Sequence, residues 1–399
     1  MHVLVVTDGF PFPLTSGRLR QFHFLTQLAR QHRITLVSAV PPNQPSEHAD
    51  ALAGDVERIV TVHTRRLSRG VRAKTWSRIH PEGTGRISER IAALHAEDPF
   101  DVVFNARLPI AFRRLLPGLP VVSDISDAVS DGLVERMQFA ATWEAPILLA
   151  KHLDARRDED RITAGSDHLL FASARDRAIL TARRPSMPPS TVVPNGVDLD
   201  YWQRRTPTLG RDTVVFAGAM PYAPNEDAAI HLIRTIMPIV RRSRPDVRLV
   251  IVGRDPRPRL VAAAAGEPNV ELTGYVEDMR DQLERASVVV AALRFATGIQ
   301  NKILEAMAMA VPVVTTPVAE AGLLIPGDVP PPLAVASDPG DLAALIVRRL
   351  EAADHGAPPD LDARAWVGER FRWDAVGATV DEILRSTTAQ VNAGSDGSR

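Results

Sequence analysis

The sequence predicts an α/β protein of two doubly wound parallel-sheet domains, and three observations carry that expectation. Short β-branched runs alternate with longer amphipathic segments along the chain, the pattern of parallel sheets covered by helices on both faces. The length of 399 residues exceeds the roughly 250–300 residues at which a single core stops growing, so two domains are the default. A turn-rich stretch over 196–211, entered through Asn195-Gly196 and punctuated by Pro207 and Gly210, divides the alternation in two.

In the first half, strands are expected over residues 3–6, 34–38, 58–62, 102–105, 121–124, 168–172 and 191–193. The clearest helices there cover 17–30 and a long 136–163. In the second half, strands are expected over 213–217, 248–252, 270–273, 287–291 and 311–315, with helices over 225–242, 256–265, 278–285 and 299–310. Beyond Asp338 the chain reads as helical, including 364–386 with Trp366, Phe371 and Trp373. The expected domains are 1–196 and 211–372; the small, polar residues 390–399 read as a disordered tail.

Composition narrows the chemistry. The chain has no cysteine, which removes disulfides, Cys-ligated zinc, iron–sulfur clusters and thiol nucleophiles and suits a cytoplasmic protein. Its 47 basic and 48 acidic residues give no general pull toward nucleic acid. The opening MHVLVVTDGFPFPL lacks a basic n-region and meets Asp8 early, unlike a signal peptide. No uncharged apolar stretch reaches the roughly 20 residues that span a bilayer, so only a peripheral membrane contact is open. Residues 65–78, RRLSRGVRAKTWSR, hold six basic residues and one Trp without an acid. A solvated loop is the favoured reading; a surface for an anionic acceptor or lipid headgroups is the other.

In doubly wound domains ligands bind beyond the carboxyl ends of the strands, so an interdomain cleft is the expected site. No G-x-G-x-x-G, P-loop, H-E-x-x-H or G-x-S-x-G motif occurs. The first loop ends in Ser16-Gly17-Arg18 before a periodic helix. That end can receive an anion on free backbone N–H groups, or Ser16 can simply cap the helix. The second half offers ATGIQNKILEAMAMAVPVVTT over 296–316, a glycine-containing loop running into a helix expected to start near Gly298. Lys302 and Glu305 lie in its first turns, where a cation can meet phosphate and a carboxylate can accept a ribose diol. An ordinary i, i+3 surface pair is the structural alternative.

The ordered set LEAMAMAVPVVTT, PNGVDLDYW (194–202), VFAGAMPYAPNEDA (215–228), VRLVIVGRDP (247–256) and VELTGYVEDM (270–279) resembles GT-B glycosyltransferases of family 4 over essentially the whole chain. The closest variant is the subgroup associated with exopolysaccharide and PEP-CTERM sorting systems. The resemblance implies a metal-independent, retaining transfer from a nucleoside diphosphate sugar to an unidentified acceptor, with no other cofactor. It implies that Glu305 binds the ribose, while Thr297 stands where the family has the first Glu of its Glu-x7-Glu pair. Gly298, Ile299, Gln300 and Asn301 would present backbone groups to the pyrophosphate or sugar. Gly218 and Asn225 lie on the loop that often carries the family's phosphate-binding Arg and Lys, so phosphate neutralisation falls to Lys302, with Arg254 second. Gly253, Arg254, Tyr275 and Val276 match the base-receiving region. In the first domain Asp127 is the candidate for the position where the family often has a His facing the sugar; capping the following helix is its structural alternative. Asp198-Leu199-Asp200 looks like a metal-binding D-x-D but follows Asn-Gly, and reads as turn chemistry. In this fold terminal helices, here 373–389, cross back to the first domain. A sugar epimerase of the same fold and a catalytically degenerate nucleotide-binding module are the competing functions.

Overall fold

The computed structural model describes residues 1–12, 14, 18–40, 52, 54–63 and 81–396. The chain forms two compact units, Met1–Pro194 with Trp373–Arg399, and Asn195–Arg372.

The first unit is a seven-stranded parallel sheet in the order β3-β2-β1-β4-β5-β6-β7. Its strands are β1 His2–Thr7, β2 Arg33–Val40, β3 Arg58–His63, β4 Val102–Ala106, β5 Val121–Ser126, β6 His168–Phe171 and β7 Ser190–Val192. All six residues of β1 are buried, as expected of a central parallel strand covered on both faces. One face packs against the helix Leu19–Ala29 through Phe24, Leu25 and Leu28. The C-terminal helix Trp373–Asp396 adds Trp373, Val376, Val380 and Leu384 to the same core. The other face meets Ile87, Ile91 and Leu94 of the helix Pro81–Glu97.

The second unit is a six-stranded parallel sheet in the order β10-β9-β8-β11-β12-β13. Its strands are β8 Thr213–Ala217, β9 Arg248–Val252, β10 Val270–Gly274, β11 Val288–Ala291, β12 Val313–Thr315 and β13 Ala334–Val335. In each sheet the winding reverses direction at one point, between β1 and β4 and between β8 and β11. At such a switch point the loops leaving the two strands part and leave room for a ligand.

Several elements differ from expectation for identifiable reasons. The long helix over 136–163 is two helices, Val129–Met137 and Ala145–Ala164, joined by a 3-10 turn Thr142–Glu144. Pro146 lies in the first turn of the second, where its missing N–H costs nothing. The helix over 225–242 is Ala223–His231, a π turn Leu232–Ile236 and a short Met237–Val240; Pro238 can neither donate to the preceding turn nor tolerate its carbonyl. The stretch 364–386 breaks at Phe371, between Leu361–Arg370 and Trp373–Asp396, where Arg372 pairs with Val197 in an isolated parallel bridge. The final helix runs to Asp396, through most of the tail expected to be disordered. The two-residue β13 carries too little pattern to be read from sequence.

Candidate functional site

The switch point of the second unit gathers most of the predicted donor residues. Three glycines close the strand ends. Gly218 N–H donates to the Val252 carbonyl at 2.9 Å, and Gly253 N–H to the Gly274 carbonyl at 3.1 Å. A Cβ on Gly253 would fall 1.8 Å from the Gly218 oxygen, and one on Gly218 would fall 2.5 Å from Asn225 Nδ2. Both positions have φ in the region that favours glycine, +159° and +156°. The loop leaving β8 is thereby pressed against its neighbour, and Asn225 is pressed against that loop, its Nδ2 donating to the Ala219 carbonyl at 3.1 Å.

Across the switch point, the loop leaving β11 turns through Gly298 at φ +62°. The helix therefore starts two residues later than the expected 299, as Asn301–Ala308 after Gln300. A Cβ on Gly322 would approach the Gly298 oxygen to 2.2 Å, so this loop too is held by close backbone packing. Gln300 Nε2 donates to the Thr297 carbonyl at 3.1 Å. Asn301 Oδ1 accepts from Asn195 Nδ2 at 2.8 Å, a residue of the PNGVDLDYW stretch.

Lys302 is buried and is not a member of a surface pair. Its ammonium donates to Asn225 Oδ1 and to Gln300 Oε1 at 3.4 Å, and lies 5.3 Å from the centre of the Phe216 ring. All three are neutral groups. Burial lowers the Lys302 pKa to about 8 against the opposing pull of Glu305, and raises that of Glu305 to about 7 against Lys302. The half-buried Glu305 side chain makes no hydrogen bond among the described residues. The site thus holds a cation and a carboxylate with hydrogen-bonding capacity to spare.

Asn225 is one of three consecutive side chains that brace this region. Beside it, Glu226 meets Arg257 at 3.4 Å, and Asp227 holds Arg294 with Nε–Oδ2 at 2.8 Å, fixing the start of the β11 loop. Arg254 is half-exposed and 3.9 Å from Asp255. Tyr275 is exposed, and Val276 with Tyr201, Glu277, Asp278 and Arg280 lines an open pocket of about 510 Å3. The Arg280 guanidinium lies 4.1 Å from the centre of the Tyr201 ring. Asp198 Oδ1 accepts from the backbone N–H groups of Asp200 and Tyr201, each at 3.0 Å, which is turn chemistry.

The first unit has its own cluster at its switch point. Arg107, directly after β4, and Ser126, ending β5, have φ of +68° and +62°, a strained backbone for residues with a Cβ. Asp127 follows Ser126. The helix Val129–Met137 starts after Ala128 without a side-chain cap, so Asp127 is not the helix cap. Its carboxylate lies 3.8 Å from Arg107, and burial raises its pKa to about 6 despite that arginine. Behind it, Arg20 grips Asp124 with two bonds of 2.8 and 2.9 Å and donates to the Val193 carbonyl at 2.7 Å. Sequence reading missed Arg20 and Arg107; an arginine carries no motif when nearly every basic residue is one. Ser16 and Gly17 lie outside the described residues. Arg18 donates to the Phe12 carbonyl at 3.2 Å and its guanidinium lies against Gly9.

The family described as glycosyl transferases group 1 matches residues 211–352. Among solved structures, sucrose-phosphate synthase from Thermosynechococcus elongatus superposes with a TM-score of 0.71 at 16% identity, covering 98% of this chain and 99% of that one. Anabaena HepE in complex with UDP gives 0.68 at 13%, covering 97% and 100%. WaaG, a glycosyltransferase involved in lipopolysaccharide biosynthesis, gives 0.62 at 15%, covering 96% and 99%. No curated protein matches the chain. At such identities these likenesses speak for the fold. Residues 211–352 match the glycosyl transferases group 1 family, within a chain of GT-B fold.

Proposed function

We propose that the protein is a retaining glycosyltransferase that moves a glycosyl group from a nucleoside diphosphate sugar to an acceptor without a metal ion. The observation that carries this reading is the buried Lys302 ammonium, held by neutral partners at the start of a helix beside a half-buried Glu305. A buried cation is costly unless a counter-charge joins it, and a diphosphate supplies one. Helix N–H groups add to the attraction.

In this reading Glu305 accepts the ribose hydroxyls, and Gly298 to Asn301 face the pyrophosphate and sugar. The pocket beside Tyr201 and Val276, with Gly253 and Arg254 near the strand ends, receives the base. During transfer the bond from the sugar C1 to the diphosphate oxygen breaks, and the acceptor oxygen bonds to C1 on the same face. The acceptor proton passes to the departing diphosphate. Lys302 offsets the charge growing on that leaving group, with a preorganised field doing most of the acceleration. Asp127 is the proposed catalytic group of the first unit. On the strength of its motifs alone, we infer an exopolysaccharide-associated transferase that acts in the cytoplasm.

The test is a thermal-shift series with UDP, GDP, dTDP and ADP, followed by transfer assays with the matching sugar donors. HepE in complex with UDP makes uridine the first choice. Stabilisation by one nucleotide, with diphosphate released only when acceptor is present and an α-linked donor giving an α-linked product, is the expected result. Donor turnover without acceptor would favour the epimerase. Diphosphate release at background with all donors and acceptors would leave a binding module.

A further inference from the structure

Asp127 sits where a helix cap is expected and does not act as one. It lies between two tight turns: its N–H donates to the Ile125 carbonyl at 2.8 Å, and the Val129 N–H donates to the Asp127 carbonyl at 3.0 Å. The first turn is centred on Ser126 at φ +62°, the strained hand of the γ-turn, and the second on Ala128 at φ −77° and ψ 71°, the common hand. Ser130 follows Asp127 by three residues, the spacing at which a capping carboxylate accepts a backbone N–H. That N–H is taken instead by Glu159 Oε1 at 2.9 Å, while the Ser130 hydroxyl donates to Glu159 Oε2 at 2.7 Å. The Ala128 N–H is taken by Asp176 Oδ1 at 2.9 Å. Both acids are buried and come from other helices, Glu159 from Ala145–Ala164 and Asp176 from Ala174–Arg183. Each is itself held, Glu159 by Arg183 and Asp176 by the Ser173 hydroxyl. The Ser126 hydroxyl donates to a third acid, Asp124, at 3.1 Å. Asp127 makes no side-chain hydrogen bond among the described residues; its carboxylate is 28% exposed and 3.8 Å from Arg107.

We propose that Glu159 and Asp176 are positioning residues for Asp127: by taking the N–H groups at the start of the helix Val129–Met137, they keep its carboxylate off the helix and open to an acceptor hydroxyl. A buried donor without a partner is costly. Loss of the Glu159 oxygen therefore draws Asp127 onto the vacated Ser130 N–H, the capping arrangement its sequence position suits. The part Asp127 plays in transfer rests on the proposed function; its placement does not.

The experiment is an NMR titration of the Asp127 carboxyl carbon in the full chain, with Asp127→Asn identifying the signal. The charged groups facing it are Arg107, Asp176, Arg20 and Asp124, and variants at Glu159 leave all four in place. The wild-type value is expected at about 6. Glu159→Ala should bring it to the ordinary 3.8 or below, because a bond from an N–H favours the charged form. Glu159→Asp, which keeps a charge for Arg183 but retracts the carboxylate by one methylene, should do the same with less cost to folding. Glu159→Gln still offers Ser130 an oxygen and should leave the value at about 6. With saturating donor, Glu159→Asp should slow transfer by about tenfold or more with the nucleotide thermal shift unchanged, and Glu159→Gln should keep the wild-type rate. An Asp127 pKa unmoved by Glu159→Asp, or lowered equally by Glu159→Gln, would overturn the assignment, as would unchanged transfer in Glu159→Asp. The expected titrations in a wild type that transfers no sugar would overturn the proposed function and leave the positioning in place.

Discussion

Lys302 is the residue on which the proposed chemistry turns. Removing its ammonium with Lys302→Ala should lower kcat by roughly 10²–10³, the range for losing one preorganised charge-stabilising group; steady-state kinetics with saturating donor would show it. A rate close to wild type would return Lys302 to a structural role. Its pKa near 8 also sets a pH limb. As pH rises through about 8 the unliganded enzyme loses this charge, so nucleotide affinity measured by calorimetry should fall, and the limb should vanish in Lys302→Met. The apo protein responds with the opposite sign. A lysine whose folded pKa is depressed penalises folding at low pH, and that penalty lifts between about 8 and the unfolded value of 10.5. Glu305→Gln should weaken nucleoside diphosphate binding by about tenfold, the effect of one hydrogen bond to a charged group; unchanged affinity would remove the ribose role. Asp127 is legible as a position but not as a state. Its sequence neighbourhood suits a helix cap, and only the fold shows Arg107 beside it and the burial that raises its pKa.

At the scale of elements, the strand ends hold the site by backbone contact. Gly253→Ala should be costly, because its Cβ would overlap the Gly218 oxygen. About 2–3 kcal/mol of destabilisation, or a fall in Tm of roughly 5–10 °C, is expected in a calorimetric scan. These elements also show what a sequence reveals. Eight of the ten longer strands are visible because their apolar runs are buried on both faces, a local property; β3 and β10 are edge strands and only partly buried. The helix starting at Asn301 was placed too early because the left-handed turn at Gly298 is set by packing against Gly322, far along the chain. From sequence, Lys302 beside Glu305 reads either as a phosphate and ribose ligand pair or as an ordinary surface pair. The hydrogen bond that draws Lys302 inward comes from Asn225, 77 residues upstream.

At the scale of the molecule, both sheets repeat one winding order, and the alternation of strands and helices made that fold class readable before any coordinates. The unit boundaries depend on long-range contact. The C-terminal helix Trp373–Asp396 supplies Trp373, Val376, Val380 and Leu384 to the first unit's core, with Trp373 stacked 4.2 Å from His23. A chain ending at Arg372 should therefore keep the second unit's hydrogen-exchange protection while the first loses most of its own. Equal protection in the two units would show that the helix is dispensable.

That same helix has a consequence for how the protein is made. The second unit is one continuous stretch of chain, Asn195–Arg372, whereas the first is assembled from two stretches on either side of it. On the ribosome the stretch made before the second unit must wait for the stretch made after it. The second unit, complete once Arg372 has emerged, can mature while residues 1–194 still lack part of their core. Its first-made half is therefore the one left longest in need of a chaperone.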